Sequence, residues 1–135
     1  MKVLIVDGQG GGVGRQLAAQ IKQAFPDVQL TAVGTNTIAT SAMMKGGADT
    51  AATGENAVLV AARKADVIIG PLGIVVADSL GGEISPAMAN AVAQSDAKRI
   101  LLPFKHCDNV IVGVSDYALT SLIQLAIEEL RKIIA

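Results

Sequence analysis

The tightest constraint in this chain is a cluster of glycines. Between an apolar, β-branched run at residues 3–6 and a helical pattern stands "DGQGGGVG", with five glycines in residues 8–14. Glycine carries a backbone-entropy cost of about 0.5–1 kcal/mol relative to alanine inside a regular element. Such a cluster belongs where the backbone must turn sharply or approach something closely. A strand that turns directly into a helix also presents the helix's first N–H groups and its positive dipole end to an anion. The stretch therefore predicts a phosphate- or nucleotide-binding turn built from Gly8, Gln9, Gly10, Gly11, Gly12, Val13 and Gly14. A tight strand-to-helix turn that holds no ligand is the simpler alternative.

Spacing narrows the choice. A P-loop needs Lys-Ser/Thr after its last glycine, and here Gly14 is followed by Arg15 and Gln16. The spaced G-x-G-x-x-G fingerprint fails at Val13. A G-x-x-x-G-x-G spacing fits at Gly8, Gly12 and Gly14, and it resembles the nucleotide-binding turn of short-chain dehydrogenases. In this arrangement Gly8 turns the strand, Gly10 to Gly12 leave N–H groups uncovered, and Gly14 permits close helix packing.

The rest of the chain suits that beginning. Its 135 residues are 51% hydrophobic and 17% charged, enough for one domain spanning residues 1–135 to bury its own core. The apolar residues are mainly Ala, Val, Ile and Leu, the composition of strands buried on both faces of a parallel sheet. Strand and helix patterns alternate, which predicts an α/β fold: a Rossmann-like three-layer sandwich with a mostly parallel sheet. Strands are expected at residues 3–6, 28–33, 48–53, 66–71 and 99–104. Ser85-Pro86 marks a helix start, while residues 72–84 carry no dominant period. "NVIVGV" reads as a final strand, and only "KHCD" separates it from its predecessor. That is too little for a parallel crossover, so an antiparallel edge strand is expected.

Composition also excludes partners. A net charge of −1 and only three aromatic residues (two Phe, one Tyr) argue against nucleic-acid binding. No stretch approaches the apolar length needed to span a bilayer, and the start lacks a signal-peptide pattern. One cysteine, Cys107, leaves no internal disulfide. A cytoplasmic protein is expected, and a mean hydropathy of +0.49 points to surface buried in a homodimer or other homo-oligomer.

In an open α/β sheet the C-terminal strand ends converge on one crevice, which directs attention to four turns. After the glycine cluster come Gly34, Thr35 and Asn36, then Thr53 and Asn56, then Gly70 and Gly73. Thr35 and Asn36 occupy the place where a dinucleotide site ordinarily has an acidic residue for the adenosine ribose. Their hydroxyl and amide, with Arg15 nearby, would suit a 2′-phosphate or another nucleotide; equally, either residue could simply cap the following helix. NAD or NADP is the cofactor expectation, the missing acid weighing against NAD.

Residues with chemistry to offer are few. Asp7 beside the glycines reads as a hydrogen-bond acceptor for the loop's N–H groups. Asp78 and Glu83 read as solvated loop residues or an acid/base pair. His106, Cys107 and Asp108 are adjacent, so a working Cys–His pair is not implied. Tyr117 lacks a lysine four residues later, which confines the dehydrogenase resemblance to the phosphate turn. No His/Asp/Glu spacing suggests a metal.

Across most of its length the chain resembles a small bacterial Rossmann-like family, a domain of unknown function. The blocks "DGQGGGVG", "GTNTIATSAMMKGGAD", "ATGENA" and "IIGPLGIVVADSLGGEISP" carry the resemblance. It implies the fold and no catalytic residue. The expectation is thus a nucleotide-binding protein, most readily a dinucleotide-binding one. Two alternatives stand beside it: a small enzyme acting on a phosphorylated or carboxylated metabolite through Asp7, Glu55 or Asp78, and a non-catalytic sensing module.

Overall fold

Alternation within the first strand sets the layering. In β1 (Lys2–Asp7) the side chains of Val3 and Ile5 point to one face and those of Leu4 and Val6 to the other, and all four are buried. A strand apolar on both faces needs cover on both. The computed structural model, which describes residues 1–104 and 109–135, supplies it with five helices. The helices α1 (Gly12–Ala24), α2 (Thr37–Gly46) and α5 (Leu119–Ile134) pack on the Val3/Ile5 face through Leu17, Ile21, Met43, Ile123 and Leu130. The Leu4/Val6 face is covered by α3 (Glu55–Lys64) and α4 (Pro86–Gln94), with Val58, Ile74, Ile84 and Val92 between.

The remaining strands are β2 (Gln29–Gly34), β3 (Thr50–Thr53), β4 (Val67–Pro71) and β5 (Lys98–Leu102). They lie in the order β3-β2-β1-β4-β5, and every pairing is parallel. The chain winds outward from β1 to β3, then returns to place β4 on the other side of β1. The winding reverses between β1 and β4, where the outgoing loops diverge and leave a crevice. Register aligns the strand ends: Asp7 pairs with Gly34, Gly34 with Thr53, and Pro71 with Leu102.

The expected antiparallel edge strand is not there. Residues 109–114 form no strand, and the described sheet is wholly parallel. Val110 and Val112 are 86% and 94% exposed, and Gly113 turns the chain at φ 83°. The β-branched run has strand propensity but no partner, because it serves as the connection from β5 to α5. Propensity for a strand is largely the fit of a side chain to a half-buried pleated surface, and these valines meet none. The stretch His106-Cys107-Asp108 lies outside the described residues. Among the described residues, no helix is long and apolar enough to cross a membrane.

The Ser85-Pro86 helix start is as expected: Ser85 Oγ accepts from the Met88 N–H at 3.2 Å and Pro86 opens α4. Residues 72–84, which carry no dominant period, form a single 3-10 turn (Leu72–Val75) and then a tight loop that runs on to Ser85.

Candidate functional site

The glycine turn divides into two kinds of position. Gly11 has φ 72°, and a Cβ there would lie 2.8 Å from both Cα and O of Ala39. A Cβ on Gly8 would lie 2.6 Å from Thr35 Oγ1, and one on Gly14 would press on Met43 and on Asp7 Cβ. Gly11 is demanded by the fold, since it meets the α2 backbone at a left-handed φ, while at Gly8 and Gly14 a methyl group would have to displace the packed side chains of Thr35 and Met43. Gly10 and Gly12 are different: a Cβ at either would meet nothing within 4 Å, and neither has a positive φ. Among the described residues, nothing requires them to be glycine.

Asp7 braces the turn from beneath. It is buried, and its two carboxylate oxygens accept from the N–H groups of Gly8 at 2.8 Å and Gly14 at 2.7 Å. Burial raises its pKa, against the lowering effect of those two N–H groups, with a further push upward from Glu83. Asp7 is thus the acceptor for the loop that its position suggested. The Gly11 N–H bonds to Gly8 O and the Gln9 N–H to Glu83. The N–H groups of Gly10, Gly12 and Val13 have no acceptor among the described residues.

Beside those three donors lies a cavity of about 330 Å³. Asp7, the turn from Gly8 to Val13, Pro71, Leu80, Phe104 and Leu119 line it. It therefore spans the β1, β4 and β5 side of the rim, in the crevice where the winding reverses. Its volume is at the lower end of the range for small-molecule sites. The apolar walls come from four segments that sequence reasoning did not bring together: the end of β4, the 76–85 loop, the end of β5 and the start of α5.

The β2 side of the rim is closed. Glu83 Oε1 accepts from the Gln9 N–H at 2.9 Å, Thr35 Oγ1 at 2.6 Å and Asn36 Nδ2 at 2.8 Å. The Thr35 hydrogen bond comes first in holding the Glu83 pKa below its ordinary value, with desolvation opposing. Asn36 also caps α2, its Oδ1 accepting from the Ala39 N–H at 2.9 Å, and Nδ2 reaches Gln9 O at 3.0 Å. The residues expected to hold a ribose thus already hold a carboxylate of the protein. Glu83 is therefore no free solvated loop residue, although it follows Gly81 and Gly82 in an exposed turn.

Other expected residues lie away from the cavity. Gly34 packs its backbone against Thr40, and Gly70 lies against the Val6 carbonyl. Gly73 accepts a hydrogen bond from Ser79 Oγ. Thr53 pairs with Thr40 at 2.7 Å on the β3 edge, and Asn56 is exposed. Glu55 accepts from Ser85 Oγ at 2.5 Å between the starts of α3 and α4, while Asp78 is exposed. The acid/base candidates Asp7, Glu55 and Asp78 are therefore not gathered in one place. Among the described residues, no group of three or more His, Cys, Asp or Glu is placed to hold a metal ion.

Comparison with known proteins adds the fold's relations. A dodecameric FMN-dependent UbiX-like decarboxylase from Escherichia coli O157:H7 is similar in structure, with a TM-score of 0.48 and 21% identity. The match covers 96% of this chain and 76% of that one. No curated protein matches the sequence. The name of that neighbour specifies FMN. The NAD or NADP expectation is corrected on this chain's own geometry. In this chain, Thr35 and Asn36 are already engaged with Glu83, whose carboxylate would face a 2′-phosphate. A family model for a domain of unknown function matches residues 2–135, and the chain belongs to that family, DUF3842.

Proposed function

We propose that this protein binds a mononucleotide-class ligand, a phosphomonoester joined to an apolar ring system, in the crevice between β1 and β4. The observation that carries the reading is the pairing of Gly10 and Gly12 with the cavity beside them. Among the described residues, two glycines without a steric reason and three N–H groups without an acceptor border space that a phosphate would fill. The ring would then lie against Pro71, Leu80, Phe104 and Leu119. Gly10, Gly12 and Val13 are the phosphate-holding residues in this reading. Gly8, Gly11 and Gly14 keep the turn in shape, and Gln9 lines the cavity.

Self-association fits the same chain. Val114, Tyr117 and Leu125 are exposed apolar side chains at the β5 edge and α5, and a homo-oligomer would cover them.

Thermal-shift and calorimetric titration with FMN, AMP, riboflavin and inorganic phosphate tests the binding reading. FMN or AMP is expected to raise the melting temperature, riboflavin to do less, and phosphate to compete. No shift with any phosphorylated probe at millimolar concentration would overturn it.

A further inference from the structure

A ligand that straddles the crevice of a doubly wound sheet needs room on both sides of β1. Here the two sides are unequal for a reason internal to the chain. The loop after β4 runs back across the end of β1 and delivers Glu83 to the β2 side. There Glu83 takes donors from both adjacent loops: Gln9 from the glycine turn, and Thr35 with Asn36 from the turn after β2.

The loop is built to stay in place. The Asp78 N–H bonds to Ile84 O at 2.7 Å, and the Ile84 N–H returns to Ser79 O at 3.2 Å. Ile84 and Leu80 are buried, Ser79 Oγ is tied to Gly73 O, and Asp78 and Leu80 are held at φ 66° and 55°. Non-glycine residues at positive φ persist where their surroundings over-determine them. Gly8 completes the fit, since a Cβ there would lie 3.1 Å from both Glu83 Oε1 and Leu80 Cδ1. Neither Thr35 nor Asn36 lines the cavity.

We propose that Glu83 is the specificity-determining residue of this site, filling the second nucleoside's place and so restricting the site to mononucleotides. Its carboxylate excludes an adenylate in two ways. It takes the hydroxyl and amide that a second ribose would use, and it sets a negative charge against the second phosphate. The inference rests on the binding reading above.

Two matched ligand pairs test it, FMN against FAD and AMP against ADP-ribose, because each pair differs by an added nucleotide or ribose-phosphate half. Dissociation constants are measured for the wild-type protein, Glu83→Ala and Thr35→Val, with melting curves and circular dichroism confirming that each variant folds. The wild type is expected to favour the smaller ligand of a pair by about tenfold or more. Glu83→Ala should bring that ratio close to one. Thr35→Val, which keeps the carboxylate but removes a donor from it, should lower the ratio less, and it serves if Glu83→Ala does not fold. Equal binding of both members by the wild type would overturn the proposal, as would an unchanged ratio in the folded variants. If neither mononucleotide binds any form, the binding reading itself fails and this inference falls with it.

Discussion

The two sides of the rim are made from the same kind of material, loops leaving parallel strand ends, yet one is filled and the other open. On the β2 side, hydrogen-bond donors from two loops converge on one carboxylate oxygen. On the β4 and β5 side, apolar side chains surround a cavity while three N–H groups at its edge have no acceptor among the described residues. The polar side is the one the protein satisfies by itself, with Thr35 and Asn36 half-buried and the Gln9 N–H exposed. Donors left over on the other side are affordable only where water or a ligand reaches them. The contrast teaches that polar residues at a predicted site need not be the ones that bind.

The largest effect should come from the glycines that close the turn. Gly11→Ala places a methyl group against the Ala39 backbone at a left-handed φ, so a loss of roughly 3 kcal/mol or more is expected in urea denaturation. A loss under about 0.5 kcal/mol would mean that the turn is not held as described. Next, Gly12→Ala separates fold from ligand. Its stability should stay within about 0.5 kcal/mol of the wild type, while affinity for FMN or AMP falls about tenfold, equivalent to roughly 1.4 kcal/mol. Unchanged affinity would remove Gly12 from the site.

The smallest and most diagnostic effect is in pH dependence. Glu83 has its pKa lowered in the folded protein, so its contribution is present above its ordinary value of 4.5 and is lost as the pH falls. Asp7 has its pKa raised, so its contribution is present at acid pH and fades as the pH rises from its ordinary 3.8 through the folded value. Denaturation of Glu83→Gln and Asp7→Asn from pH 3 to 7 should therefore show opposite trends. The deficit of Glu83→Gln grows with rising pH and levels off, and that of Asp7→Asn shrinks. Parallel trends would break the distinction between the two carboxylates.

Much of this architecture was legible in the sequence because its signals are local. The apolar run before the glycines, the Ser85-Pro86 start and the stripe of Leu122, Ile123, Ala126, Ile127 and Leu130 on α5 each depend on near neighbours. Asp7 as a loop acceptor and Asn36 as a cap were legible for the same reason. What escaped is what distant segments make together. Glu83 meets Gln9, Thr35 and Asn36 across 74, 48 and 47 residues. No periodicity encodes such a meeting. The cavity's apolar walls likewise look like ordinary core residues until the sheet order brings them together. The misread edge strand is the converse case: residues 109–114 have the local signal of a strand, yet they join no strand of the described sheet.

The division among the glycines has a consequence for how the family can diverge. Selection for folding acts on Gly8, Gly11 and Gly14, where any side chain strikes neighbouring atoms. At Gly10 and Gly12 it has little hold, and alanine at the first helical turn would if anything favour α1. Lineages that have abandoned the ligand should therefore drift at these two positions first, keeping the turn while losing its opening. Where both remain glycine alongside an otherwise variable surface, the proposed reading expects the phosphate-binding turn to be kept.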